Sequence, residues 1–158
     1  MIVPGARPCT GHGGREEYRE PPREANRPPP VIAGNTDVGA LRGAFQFLAL
    51  MQTRRPIDQL DIVSAPKLQY RIMDHWDRLD RTVERGYAGF SIWDWHKLPD
   101  WLDPRYTDYA RASASIGING VVLNNVNSRS DSLLPQYLEK TKALAGILRP
   151  YGIKVYLT

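Results

Sequence analysis

The chain has 158 residues, 42% of them hydrophobic and 24% charged, with a formal net charge of +4. This is the balance of a globular domain, and no apolar run approaches the roughly 20 residues of a membrane span. Acidic and basic residues are interspersed with no basic stripe, which argues against a nucleic-acid partner. The single cysteine, Cys9, excludes an internal disulfide, and neither it nor His12 has partners at metal-ligand spacing.

Residues 1–30 hold seven of the thirteen prolines, glycines at 5, 11, 13 and 14, and charges of the REEYREPPRE kind. Such a stretch buries too little apolar surface to offset its ordering entropy, so a disordered segment is expected. The GHGG at 11–14 has no strand before it or helix after it, which rules out a phosphate loop. The start shows no charged segment followed by an apolar one, so no signal peptide is visible in this chain. The compartment stays open.

From Val31 the character changes. VIAG is a short strand signal, and Asn35–Thr36–Asp37 offers N-caps for a helix over Val38–Gln52. Leu41, Phe45, Leu48 and Gln52 recur at three- and four-residue spacing, beside Val38 and Ala44. Gly39 and Gly43, four apart, predict close packing against another backbone, because a helix-interior glycine otherwise costs about 1 kcal/mol. Pro56 ends this region, and Ile57–Pro66 is a connector.

Short apolar runs at Leu68–Met73, Asn119–Leu123 and Ile153–Leu157 predict three strands. Helical spacing predicts helices over Pro104–Ile116 and Pro135–Leu148. The first has Asp103 as N-cap, Gly117 as C-cap, and Tyr106, Tyr109, Ala110, Ser113 and Ile116 as its stripe. The second packs through Leu138, Leu144, Ala145 and Leu148. Strands alternating with such helices imply parallel pairing through right-handed crossovers, an α/β fold. The chain stops on its third strand, as a piece of something larger would.

Residues 75–97, HWDRLDRTVERGYAGFSIWDWHK, read as a long loop between the first strand and the first of these helices. Three of the four tryptophans are here, Trp76, Trp93 and Trp95, among Asp77, Asp80, Glu84, Arg78, Arg81 and Arg85. Aromatic faces beside charged groups suit a sugar: a ring face takes the C–H side of a pyranose, and the charges take its hydroxyls or a carboxylate. Trp93 and Trp95 alternate with Asp94 and His96, which favours packing for both. Asp74, His75, Asp77 and Asp80 fit no metal-binding loop. Asp77 and Glu84 as acid and base would both come from one loop, which disfavours that pairing, and Glu84 with Arg85 is expected to brace the loop. After the second strand come Asn124, Asn125, Val126 and Asn127, at the carboxyl end of the sheet, the functional face of barrels and doubly wound sheets alike. All three asparagines can cap the turn, and Asn125 is the candidate substrate contact. A doubly wound nucleotide-binding domain is disfavoured, since no strand leads into a G-x-G-x-x-G turn.

HWDRLDRTVERGYAG, SIWDW, RYTDYAR, SIGING, LNNVN and RPYGIKVYL, in that order, resemble the α-glucuronidases of glycoside hydrolase family 67. The upstream VIAGNTDVGALRGAFQFLALMQ is similar to the end of that family's N-terminal domain. The resemblance implies a truncated (β/α)₈ barrel of about three βα units over residues 67–158, preceded by the end of an α+β domain over residues 31–66. It implies an inverting hydrolase that removes glucuronic acid or its 4-O-methyl ether from xylo-oligosaccharides in xylan degradation. No cofactor or metal is implied, and a homodimer is one expectation for full-length members. Trp76 matches the family's stacking tryptophan and Val126 an apolar contact to the sugar. No catalytic residue is assigned, because the family's acid and base carboxylates belong to later strands. This chain alone is therefore expected to be inactive. Departures from the pattern are Asp74 and Arg78 in place of asparagines, Phe90 in place of a polar residue, Val121 in place of threonine and Arg42 in place of tyrosine. Asp74 puts a negative charge beside Trp76, which opposes an acidic sugar. Two further expectations compete with the enzyme fragment: a catalytically inactive carbohydrate-binding remnant, or a nonfunctional product of an incomplete gene.

Overall fold

Thr36 opens the first helix by accepting a hydrogen bond from Gly39 N at 3.0 Å through its hydroxyl. Asp37 then places a carboxylate in the first turn, where the helix dipole favours it. The helix, α1, runs Asp37–Gln52, and Thr53 closes it, its Oγ1 donating to Ala49 O at 2.7 Å. The computed structural model describes residues 29–58, 60–124 and 129–157. The chain divides into two compact units between Ala65 and Pro66. The GHGG stretch, Cys9 and His12 lie outside the described residues, as do Asn125, Val126 and Asn127.

In the first unit the expected VIAG strand does not form: residues 31–34 carry no strand pairing. Their backbone instead lies across the glycine face of α1. A Cβ on Gly39 would meet Gly34 Cα at 3.5 Å, and one on Gly43 would meet Ile32 Cγ2 at 2.5 Å. Gly39 thus lies against a neighbouring backbone as expected, whereas Gly43 admits the Ile32 side chain instead. The apolar stripe of α1 is not a core in this chain. None of its residues is buried, and Leu48 and Met51 are about half exposed.

The second unit is a three-stranded parallel sheet in the order β1-β2-β3, comprising β1 (Ile72–Asp74), β2 (Gly120–Val122) and β3 (Lys154–Tyr156). Helices α2 (Pro104–Ser115) and α3 (Pro135–Leu148) connect the strands. They pack on each other, and α3 packs on β3. Asp103 caps α2 as expected, accepting from Arg105 N at 3.0 Å, with Pro104 at the first turn. The core comprises Val121 and Leu123 from the middle strand and its extension, Tyr106, Ala110 and Ala114 from α2, Leu144 and Leu148 from α3, and Ile153. A middle parallel strand is covered on both faces, which is why its residues are apolar without alternation.

Three details differ from the sequence expectation. The first strand begins at Ile72, and Leu68 and Tyr70 are exposed. The reason is Asn119, whose amide takes over the ladder there: Oδ1 accepts from Arg71 N at 2.8 Å and Nδ2 donates to Gln69 O at 2.7 Å. Ile116 is exposed because α2 ends at Ser115, and Ala114 takes the inward position. Leu138 is exposed because the inward seam of α3 runs Tyr137, Thr141, Leu144, Leu148, one residue off the position chosen by hydrophobicity.

Gly120 sits where β2 is crossed from both sides. A Cβ there would lie 2.9 Å from Ile72 Cγ1 and 2.9 Å from Tyr156 Cε2. The close approach of the two flanking strands' side chains requires glycine at this point.

Candidate carbohydrate site

The loop from His75 to Asp103 leaves the carboxyl end of β1 and carries its own core. Asp77 is buried, and its Oδ2 accepts from the Ser91 hydroxyl. Ser91 Oγ in turn accepts from Trp93 N at 2.9 Å. This chain of bonds turns the Trp93 ring inward, where it is fully buried. Its ring packs at 5.5 Å from His75, 5.3 Å from Tyr106 and 5.1 Å from Tyr109. The His75 and Tyr109 contacts have the edge-to-face geometry that aromatic quadrupoles favour, and the Tyr106 ring is tilted at 50°. Trp95 is buried too, against Tyr137 at 6.3 Å, and Lys140 Nζ donates to its carbonyl. Both tryptophans are packing residues, as their alternation predicts. Asp94, between them, is not turned out to solvent: it pairs with Arg81 at 3.1 Å and Lys97 at 3.6 Å, and its N–H donates to Tyr106 Oη.

Trp76 is the exception. It is 48% exposed, and none of the ring pairs among the described residues includes it. Its backbone is nonetheless held. The carbonyl accepts from Glu84 N at 2.9 Å, and the flanking Asp77 pairs with Val83 in an antiparallel bridge. Glu84, Arg85 and Gly86 have φ of 48°, 60° and 94°, three consecutive left-handed residues of which only the last is glycine. Backbone conformations of this kind cost of order 1–3 kcal/mol each and collect at functional sites. The brace expected of Glu84 and Arg85 is therefore made by the Glu84 backbone, and the Glu84 side chain is exposed. Asp77 is hydrogen-bonded to Ser91 inside the loop, whereas Glu84 is exposed.

His75 precedes Trp76 in the chain and is turned toward α2. Its Nε2 is 2.7 Å from Tyr109 Oη and its Nδ1 is 3.8 Å from Asp77 Oδ1. Tyr109 Oη also lies 3.4 Å from Met73 Sδ. Burial lowers the His75 pKa, more than Asp77 and Asp74 raise it. Burial also pushes the Tyr109 hydroxyl up. A histidine held neutral in the fold must be charged against that preference in acid. Its contribution to stability is intact above the unfolded value of about 6.5 and falls as pH drops from there towards the lower folded value. The expected result is a urea midpoint that declines below about pH 6.5, with a smaller decline in His75→Gln; equal declines would show that another group is responsible.

No group of three or more metal-ligating side chains is present among the described residues. Asp80 is occupied by Thr82, whose N–H and hydroxyl both donate to Oδ1, and these bonds lower its pKa. Asp74 is exposed close to Trp76 in sequence, and Tyr87 and Phe90 are exposed on the same loop. Asn124, at the end of β2, is buried. The sequence reading missed the Asp77–Ser91 bond and the His75–Tyr109 pair. They join residues 14 and 34 apart, and no local spacing signals such contacts. No helix among the described residues is long and apolar enough to cross a membrane.

Parallel strands joined by helices, with a long, internally braced aromatic loop at a strand's carboxyl end, place the chain among α/β proteins whose site is built on that face. Residues 50–158 match the Glycosyl hydrolase family 67 middle domain. The chain is 37% identical over 126 residues to a probable alpha-glucuronidase A of Aspergillus terreus, covering 78% of this chain and 15% of the relative. It is 39% identical to that of Aspergillus oryzae and 36% identical to the alpha-glucuronidase A of Aspergillus tubingensis, with the same coverage. The chain belongs to glycoside hydrolase family 67. It spans about 15% of the length of the curated relatives it matches.

Proposed function

We propose that this chain forms the opening part of the barrel of an α-glucuronidase and supplies one wall of its sugar pocket. Residues 67–158 then correspond to the first three βα units of a (β/α)₈ barrel, and residues 31–66 to the end of the preceding α+β domain. The substrate is a xylo-oligosaccharide bearing glucuronic acid or its 4-O-methyl ether, and the reaction is hydrolysis with inversion. The observation that carries this reading is Trp76: an exposed indole just after the carboxyl end of β1, on a backbone held by Glu84 N and by the bridge of Asp77 to Val83, in a chain of this family.

The indole face takes the C–H face of the uronic ring. Val126 and Asn125, after β2, are proposed to extend the same wall. Inversion needs an acid and a base about 6.5–9.5 Å apart across the sugar. Asp77 is committed to Ser91 and Glu84 projects from the same loop, so both catalytic carboxylates are assigned to other strands of the barrel. The exposed Asp74 favours a second reading, a sugar-binding wall that has lost the chemistry, since its charge opposes a uronic carboxylate.

The test is to incubate the purified chain with aldotriouronic acid, measuring released glucuronic acid and, by ligand-observed NMR, binding. No release is expected, and binding should weaken about five- to tenfold in Trp76→Ala, the loss of an aromatic contact worth about 1 kcal/mol. Release that disappears in Asp77→Asn or Glu84→Gln would show that the catalytic groups are in this loop. Binding that is unchanged in Trp76→Ala would remove the tryptophan from the site.

A further inference from the structure

Past the end of β1 the chain keeps a strand's alternation for three more residues. Met73, His75 and Asp77 are the less exposed set, and Asp74 and Trp76 are exposed. The two neighbours of Trp76 are thus turned into the protein, and each is anchored there. Asp77 bonds to Ser91 and bridges to Val83. His75 N donates to Val122 O at 3.0 Å, which ties its backbone to β2. The His75 ring lies 5.5 Å from Trp93 and 5.4 Å from Tyr109, with Nε2 2.7 Å from Tyr109 Oη. This one residue joins the backbone of Trp76 to the middle strand, to the core of the loop and to α2.

His75 is also the group in this cluster that changes charge near neutral pH. Its own segment turns Asp77 Oδ1 towards it at 3.8 Å and places Asp74 nearby, and α2 presents the Tyr109 hydroxyl. Trp93 presents an uncharged ring, and β2, Gly120–Val122, has no charged side chain. A neutral imidazole suits such surroundings. An imidazolium loses hydration there, and burial outweighs the two carboxylates that favour it. A protonated ring recovers solvation by moving towards water and the exposed Asp74. That movement breaks the contact with Tyr109, and Trp76 is the next residue in the chain.

We infer that His75 is a positioning residue for Trp76, and that the indole keeps its place while the imidazole is neutral and bonded to Tyr109. Protonation releases it, so the exposed face is assembled at neutral pH and loosened in acid. Because the folded value lies below the ordinary one of about 6.5, the release comes below that pH. The consequence for sugar binding rests on the reading of Trp76 as a wall of the uronic acid pocket. The coupling of His75 to Trp76 does not, and it is measurable with no sugar present.

The test is fluorine NMR of the whole chain labelled with 5-fluorotryptophan, titrated from about pH 8 to about pH 4.5 across the histidine range. The Trp76 resonance is identified by its loss in Trp76→Phe. It should shift with a midpoint below about pH 6.5, and the shift should vanish in His75→Gln. In Asp74→Asn the midpoint should fall, because a charge that favours the imidazolium is gone; Asp74 is exposed, so this variant decides the matter if His75→Gln does not fold. Trp95 and Trp101, which make no ring contact with His75 among the described residues, should stay in place. A Trp76 resonance indifferent to pH, a shift that persists in folded His75→Gln, or a midpoint unmoved in Asp74→Asn would overturn the inference. So would one transition shared by all four tryptophans, which is general unfolding. Glucuronate, itself ionised throughout, should bind the wild type about fivefold more weakly at about pH 5 than at about pH 8, and pH-independent binding would also count against the inference. Absence of glucuronate binding at about pH 8 would instead contradict the uronic acid reading, and the fluorine shifts alone would then decide the role of His75.

Discussion

Trp93→Ala should destabilise the chain by about 3–5 kcal/mol, the range for removing a buried tryptophan from a packed core. Trp93 has no exposed surface, and its indole fills the space among His75, Tyr106 and Tyr109, three rings from two different elements. No neighbour can close the gap without giving up its own bond: His75 is tied to Tyr109, and Tyr106 Oη to the Asp94 backbone. The loss is a large share of the roughly 5–15 kcal/mol that holds an ordinary domain together. Urea unfolding followed by circular dichroism measures it. Trp76→Ala, at an exposed position only 17 residues away in sequence, should change the midpoint little, because exposed positions usually move stability by about 0.5 kcal/mol or less. Similar losses at the two positions would mean that Trp76 is also a packing residue.

The contrast between these tryptophans shows what the sequence makes legible. Alternation with Asp94 and His96 is enough to predict that Trp93 and Trp95 share a face, because it is a local pattern. The helices are legible for the same reason: Asp103–Pro104 is a start signal with a mechanism, and α3 begins and ends at the predicted residues. Parallel strand pairing follows from the alternation of strands and helices. What fails is everything that depends on a distant partner. Asn119 reads as the first residue of a strand, yet its side chain substitutes for a strand's backbone opposite Gln69 and Arg71. VIAG reads as a strand, yet β-propensity cannot supply a neighbour to pair with, and the segment packs on glycines instead. Asp77 reads as one of several acidic residues in a polar loop. Only the fold reveals that it is buried and that it organises Ser91 and Trp93. The family, by contrast, is legible from six short motifs in order, because a set of motifs in register carries information that no single contact does.

The second large effect expected is on turnover. Grafted in place of the matching segment of the Aspergillus tubingensis alpha-glucuronidase A, residues 66–158 should, on the proposed reading that the catalytic carboxylates come from the rest of a barrel, give an active enzyme. The two sequences are 36% identical across the matched region, enough to preserve a common fold while testing this chain's own loop. The assay is release of glucuronic acid from aldotriouronic acid by a chimera whose thermal transition shows that it is folded. The account predicts measurable turnover, with kcat/KM reduced about tenfold by Trp76→Ala, equivalent to about 1.4 kcal/mol of lost sugar contact. A folded chimera with no turnover, or one whose kcat/KM is indifferent to Trp76→Ala, would contradict the claim that this loop forms a wall of the sugar pocket.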